Sequence, residues 1–233
     1  MKSRAVIVAA VLLWLANMAH AGSPAEFAIR WDTAEGGPRS IEEAAALLGL
    51  GVGKRKSFEV RYFSVEQPAD AKDRSALIVR QRSSGRSVES MVKQRSVDAF
   101  SAGDPLAGWQ CPFPARAKAK SKSEVDVGWT AEGLTKKSYS LSCQAAGGVE
   151  ALLPARFMAK PFGCVSHVER AQAQGIKIEH WRLPRGADSI EVSWNGEDTA
   201  ADLEKFASRV VRPLMAHGVK PMGESKTALG SGC

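Results

Sequence analysis

The sequence predicts an α+β fold built on a mostly antiparallel sheet of about seven or eight strands. Short segments alternate apolar and polar residues, which is the period of a strand with two unlike faces. Turn residues fall between those segments, and two apolar stripes at helical spacing interrupt them.

The chain opens with Lys2 and Arg4, continues through an apolar run over residues 5 to 15, and reaches Ala19-His20-Ala21. A basic start, an apolar stretch too short to span a bilayer and a small-x-small site read as a cleaved secretory signal over residues 1–21. Residues 22–233 then form one domain with a short tail from about 221, secreted or periplasmic and without a membrane span. Removing Lys2 and Arg4 lowers the formal net charge from +7 to +5, an excess too small to require nucleic acid as a partner. The cysteines Cys111, Cys143, Cys164 and Cys233 are even in number, which in an exported chain favours disulfides. Their pairing stays open, and no CxxC or HxxxH spacing supports a zinc site.

In "EFAIRWD", Phe27, Ile29 and Trp31 share one face and Glu26, Arg30 and Asp32 the other. The run "SIEEAAALLGL" follows as a helix, with Ser40 as N-cap, Glu43 completing a capping box, and Gly49 or Gly51 ending it. In "SFEVRYF", Phe58, Val60 and Tyr62 oppose Glu59 and Arg61. A hairpin turning at Ser84-Gly85 sets Leu77 and Val79 against Arg80 and Arg82, and Val92 against Lys93 and Arg95.

Residues 101–122 mix Pro, Gly, Lys and Arg, and read as a solvated loop carrying Arg116, Lys118, Lys120 and Lys122. Beyond it, Val125 and Val127 oppose Glu124 and Asp126, and after the Glu132-Gly133 turn Tyr139 and Leu141 oppose Ser138 and Ser140. Ile176 and Ile178 oppose Lys177 and Glu179, and Ile190, Val192 and Trp194 oppose Glu191 and Ser193, with Pro184-Arg185-Gly186 between the two segments. A last helix begins near Asp198 or Thr199, buries Leu203, Phe206, Val210, Val211 and Leu214, and should kink or end at Pro213.

The polar faces collect Arg30, Arg61, Arg80, Arg82, Lys93 and Arg95 together with Glu26, Glu59, Glu124, Asp126, Glu179 and Glu191. Two arrangements satisfy that list. An open sheet with one wet face produces the same alternation. A closed, tunnel-like β-barrel with helices packed outside turns the charges inward instead. A lumen of that kind would bind a phosphate-rich anion through its cations, while its carboxylates would hold Mg²⁺ or Mn²⁺.

The order of these features resembles the CYTH or triphosphate-tunnel superfamily, over about residues 26 to 219. That superfamily includes inorganic triphosphatases, thiamine triphosphatases and class IV adenylate cyclases. The resemblance rests on an ExExK-like first strand, a helix ending in Leu-Gly-Leu, "RYFS", the RxR of Arg80 and Arg82 and the "VKQR" of Lys93 and Arg95. An ExD strand, a Ser-rich strand and "EHWRLPRG" with "IEVS" complete it.

The resemblance implies an eight-stranded antiparallel tunnel that hydrolyses a triphosphate with one or two Mg²⁺ or Mn²⁺ ions. It places Arg80, Arg82, Lys93 and Arg95 on phosphate, with Arg30 or Arg61 standing for the signature Lys, and Glu26, Glu124, Asp126, Glu179 and Glu191 near the metal. The chain departs from the pattern at Ala28 and Ser193, where the family has carboxylates, and with fewer ligands metal-dependent hydrolysis weakens while anion binding survives.

Triphosphate or polyphosphate is the ligand that export favours. The alternative function is a non-catalytic secreted interaction module that kept the fold and lost the metal site. No GxSxG elbow and no phosphate-cradling Gly-rich loop is present. His180 falls on an apolar face as a packed residue, and Trp109, Trp129, Trp181 and Trp194 read as core.

Overall fold

A computed structural model of the chain describes residues 22–66, 77–98, 119–153, 158–183 and 188–231. The leader, Trp109, Cys111, Arg116, Lys118, the 184–186 turn and Cys233 lie outside the described residues.

The strands are β1 (Pro24–Asp32), β2 (Lys56–Glu66), β3 (Leu77–Ser84), β4 (Ser87–Ser96), β5 (Lys120–Trp129), β6 (Thr135–Ala146), β7 (Met158–Ala173), β8 (Ile176–Arg182) and β9 (Asp188–Glu197). They close into a barrel in the order β1-β5-β6-β4-β3-β2-β7-β8-β9, so the open sheet with one wet face is excluded. The expectation of a mostly antiparallel sheet, closed as an antiparallel barrel of about eight strands, is approximately met and differs in two respects.

The described residues form nine strands, because β7 reads poorly as one. Its first half contains Pro161 and Gly163, and the register with β2 slips between Val60↔Ser166 and Tyr62↔Phe162, where Gly163 takes a φ of 72°. Such a bulge destroys the period-two pattern that would reveal the strand. The second difference is that β1 pairs parallel with β5, from Ala25↔Val125 to Ala28↔Gly128, while its other edge pairs antiparallel with β9. A parallel pair requires a long crossover, and here everything from helix α1 (Ile41–Leu47) to β4 supplies it.

Strand pairing sorts the side chains. Phe27, Ile29 and Trp31 of β1, Val125 and Val127 of β5, Ile176 and Ile178 of β8 and Ile190 and Val192 of β9 all point outward. They are covered by α1 (Ile41–Leu47) and by the last helix, in which α2 (Ala200–Phe206) runs through a π turn (Ala207–Val211) into α3 (Arg212–Ala216). A second outer cluster gathers Val79, Val92, Cys143, Leu152 and Leu153 beneath the 3₁₀ turn Val149–Ala151. The main apolar core therefore lies outside the barrel, and the polar faces line its lumen.

The helix ends follow their sequence signals. Ser40 Oγ accepts the Glu43 N–H at 3.1 Å, and Gly49 leaves α1 with a φ of 65°. Thr199 Oγ1 accepts the Asp202 N–H at 3.1 Å. Of the two outcomes expected at Pro213, a kink or an end, the helix does not end there but continues to Ala216. The wide turn of Ala207–Val211 lies immediately upstream and carries the backbone past a ring that would otherwise meet the carbonyl four residues back.

Residues 120–122, expected in a loop, belong to β5. His180 is buried with Nε2 3.0 Å from Asp188 Oδ2, the satisfied packed histidine that its face predicted. Cys143 and Cys164 lie within the described residues, and neither is a free thiol. No helix among the described residues is long and apolar enough to cross a membrane.

Phe206 carries the contact between helix and barrel, packing against Phe27, Trp129 and Trp194 with ring centroids 5.9, 5.2 and 6.3 Å away. Phe206→Ala should destabilise the fold by about 3–5 kcal/mol, read as a lower urea midpoint at unchanged slope.

Candidate functional site: a charged lumen

Two clusters of charge line the inside of the barrel. The first lies on β1, β4 and β5. Glu26 and Asp126 are register partners across the parallel pair, and Glu124 stands two residues earlier on β5. The carboxylate oxygens of Glu26, Glu124 and Asp126 lie within 4.8 Å of one another.

Cations from neighbouring strands hold them together. Lys93 Nζ lies 3.0 Å from Asp126 Oδ2 and 3.6 Å from Glu124, and Arg95 lies 3.1 Å from Asp126. Lys122 also pairs with Glu124, and Lys177 reaches Glu26 at 2.9 Å.

The second cluster lies on β7, β8 and β9. Glu179 and Glu191 sit directly opposite each other across β8 and β9. Like charges so placed repel, so the pair needs cations close by. Arg30 pairs with Glu191, with Nε donating at 3.1 Å. Arg170 Nε donates to Glu179 at 2.6 Å, Trp181 Nε1 donates at 3.1 Å, and Arg82 approaches to 3.8 Å. The ammonium of Lys226, from helix α4 (Lys226–Ser231), lies 2.7 Å from Glu179 and also pairs with Glu191.

Beyond this cluster Arg82 and Arg170 both stack over Phe58, at 5.4 and 5.0 Å from the ring centroid. Arg80 donates to Met91 Sδ at 3.4 Å and has no carboxylate partner among the described residues.

Of the expected site residues, Arg30, Arg80, Arg82, Lys93 and Arg95 share the lumen with Glu26, Glu124, Asp126, Glu179 and Glu191. The carboxylates divide between two walls instead of meeting at one point. Arg61 lies elsewhere, exposed on the outer face opposite Gln81. The β2–β3 register puts Val60 and Tyr62 beside Arg82 and Arg80, so the apolar face of β2 is the one turned inward.

Arg170, Lys177, Trp181 and Lys226 join the site without having been expected there. Arg170 lies on the strand whose pattern the bulge conceals. Lys177 shares a face with Glu179 that the alternation already marked. A cavity of about 650 Å³ opens at the β2–β3 end and is lined by Phe58, Glu59, Ser84, His167, Glu169 and Arg182. Apart from Phe58 it touches none of the charge clusters.

Electrostatics separates the two kinds of charge. Burial resists ionisation of Glu26, but Lys177, Lys226 and Lys93 outweigh it and hold the carboxyl down at about 2. Burial likewise opposes charge on Glu179, which Lys226, Arg82 and Arg170 keep well below the ordinary range. Lys226 is raised because Glu179, Glu191 and Glu26 overcome its burial. Arg82 goes the other way. Burial, with Arg80 and Arg170 beside it, pushes its guanidinium down to about 10 despite Glu179. The lumen stabilises its carboxylates and leaves its arginine end under mutual repulsion.

Solved structures to which the chain is similar include the PH1012 protein of Pyrococcus horikoshii, at 12% identity and a TM-score of 0.45 over 88% of this chain and 98% of that one. A Vibrio parahaemolyticus protein described as an adenylate cyclase candidate is similar at 8% identity and 0.47, covering 90% of this chain and 98% of that one. A Hippeastrum protein, HpAC1, described as an adenylyl cyclase candidate with a dominant triphosphatase activity, is similar at 12% and 0.46, covering 86% and 92%. No protein-family model matches the chain, and no curated protein matches it. At these identities and scores, function has to be read from this chain's own side chains.

Glu26 and Glu179 ionise more readily folded than unfolded. The stability they contribute is complete above the ordinary carboxylate value of 4.5 and is lost as pH falls toward 2. Thermal unfolding followed between pH 6 and pH 2 should show Tm falling most steeply below about 4.5, and Glu26→Gln should make the fall shallower.

Proposed function

We propose that the chain is an exported tunnel domain that binds a phosphate-rich anion such as triphosphate or polyphosphate. One observation carries this reading. Arg80, Arg82 and Arg170 crowd one end of the lumen, and burial together with the neighbouring charges of Arg80 and Arg170 drives Arg82 down to about 10 despite Glu179 and Glu89. An anion bound there would relieve the repulsion, and guanidinium groups can offer phosphate paired donors. Lys93 and Arg95 continue the cationic path along β4 toward the opposite wall. Export is part of the proposal and rests on the leader pattern of residues 1–21.

For catalysis, Glu26, Glu124 and Asp126 are the residues that fit Mg²⁺ or Mn²⁺, since three hard oxygen ligands converge within 4.8 Å. A bound ion would draw charge from the phosphate oxygens and orient the substrate. Glu179 and Glu191 do not converge with that trio, and the ammonium of Lys226 lies against both.

A second reading, the non-catalytic interaction module, has its own support. Ala28 and Ser193 are cross-strand partners on the lumen face, so the two missing carboxylates are missing from one place. Every carboxylate of the two clusters also pairs with a lysine or an arginine.

Purified mature protein should gain Tm with tripolyphosphate, by about 2.7 kcal/mol of added stability at a ligand concentration 100 times Kd. Arg80→Ala and Arg82→Ala should weaken that gain. Phosphate release from tripolyphosphate with Mg²⁺ or Mn²⁺ decides between the readings: turnover sustains the enzyme, and binding without turnover leaves the module. No thermal shift with any polyanion removes both the anion site and the enzyme.

A further inference from the structure

Past α3 the chain turns back and enters the barrel. Met222 N–H donates to the Arg30 carbonyl at 2.8 Å, and the Arg30 guanidinium donates to the carbonyl of Glu224. Helix α4 then rests on β7 and β2, and Leu229 packs with Tyr62, Val168 and Trp181 in the apolar part of the lumen. Gly230 approaches Tyr62 so closely that a Cβ there would stand 2.5 Å from Cε2.

The environment of Lys226 is that of an ammonium receptor. Two carboxylates face each other across β8 and β9, and the ring of Trp181 lies 5.2 Å from Nζ. An ammonium has N–H donors for both carboxylates and a charge for the ring face. Its side chain is only 19% exposed.

The segment fills the lumen without satisfying it. Tyr62 Oη, Ser166 Oγ and Arg82 Nε are buried there without a hydrogen-bond partner. Tyr62 and Ser166 lie against Gly230, a residue with no side chain to offer. Buried polar atoms left unpaired are costly, so a competitor with oxygen acceptors gains where the segment does not.

We propose that Glu179, Glu191 and Trp181 form an ammonium site whose occupant is the chain's own Lys226, and that residues 219–231 are an internal latch sharing the lumen with the anion and withdrawing when it enters. Only the identity of the competitor rests on the tunnel reading above.

The ammonium site is tested without phosphate. Lys226→Ala in the full mature chain should lower Tm, and n-propylammonium, which replaces the atoms removed, should restore it. Tetramethylammonium at equal ionic strength, having no N–H, should not. Equal effects of the two amines would overturn the ammonium site.

The latch is tested by hydrogen exchange of the amides of residues 226–231, together with calorimetric titration of tripolyphosphate. Gly230→Val displaces the segment from Tyr62 without changing any charge. It should raise exchange in residues 226–231 and tighten tripolyphosphate binding by about tenfold, and tripolyphosphate should raise the same exchange in the unaltered chain, since coupling is reciprocal. Equal binding by both proteins with exchange unchanged would overturn the latch. Failure of both proteins to bind tripolyphosphate would overturn the tunnel reading and the anion-coupled latch, while the amine experiment still decides the ammonium site.

Discussion

A charged side chain inside a closed sheet cannot swing out to bulk water, so each carboxylate in this lumen has to find its cation within reach of its own strand. That constraint sets the layout of the whole barrel. Removing one partner of a buried ion pair costs about 3–5 kcal/mol, whereas an exposed pair contributes roughly 0–1. The Arg212–Glu204 and Arg55–Glu42 pairs on the surface are therefore minor, and Lys93 with Asp126 or Lys226 with Glu179 are the interactions whose loss the fold would register. The apolar residues follow from the same constraint. With the interior given to charge, the outer faces of β1, β5, β8 and β9 become the core and need two helices to cover them.

The two ends of the lumen answer this constraint unequally. At the β1–β5 wall the carboxylates converge and lysines and an arginine surround them, and the proton affinity of Glu26 drops. At the arginine end the cations crowd one another, and Glu179 and Glu89 compensate them in part. A site with matched charge everywhere would be a rigid wall. One with unmatched cations at one end keeps an attraction for something negative from outside the chain.

Much of this was legible in the alternation of single strands. Period two placed Glu26 and Arg30 opposite Phe27 and Ile29, and it marked the inward faces of β3, β4, β5, β8 and β9, because each of those strands has one side against apolar packing. It misled at β2, where both faces carry bulky residues and the inward one is Val60 and Tyr62, so Arg61 looked like a lumen residue. It was blind to β7, where Gly163 and the bulge shift the phase halfway along. Nor could any local pattern reveal Lys226. A lone lysine in a short tail has no periodicity, and only the closed barrel shows that two opposed carboxylates await a cation. The capping signals at Ser40 and Thr199 were legible because a cap is a contact three residues long.

The edge where β1 meets β9 joins residues 24–32 to residues 188–197. The first strand to be synthesised is thus sealed by the last, and its other edge is filled by β5, about a hundred residues downstream. No ribosome-bound or half-threaded form of the chain can complete the ring. Until residue 197 has emerged, β1 lacks the partner for one entire edge and the lumen charges of β9 are missing, so the polypeptide stays open along its length. Closure is a single late event, made when the first strand of the barrel meets the last.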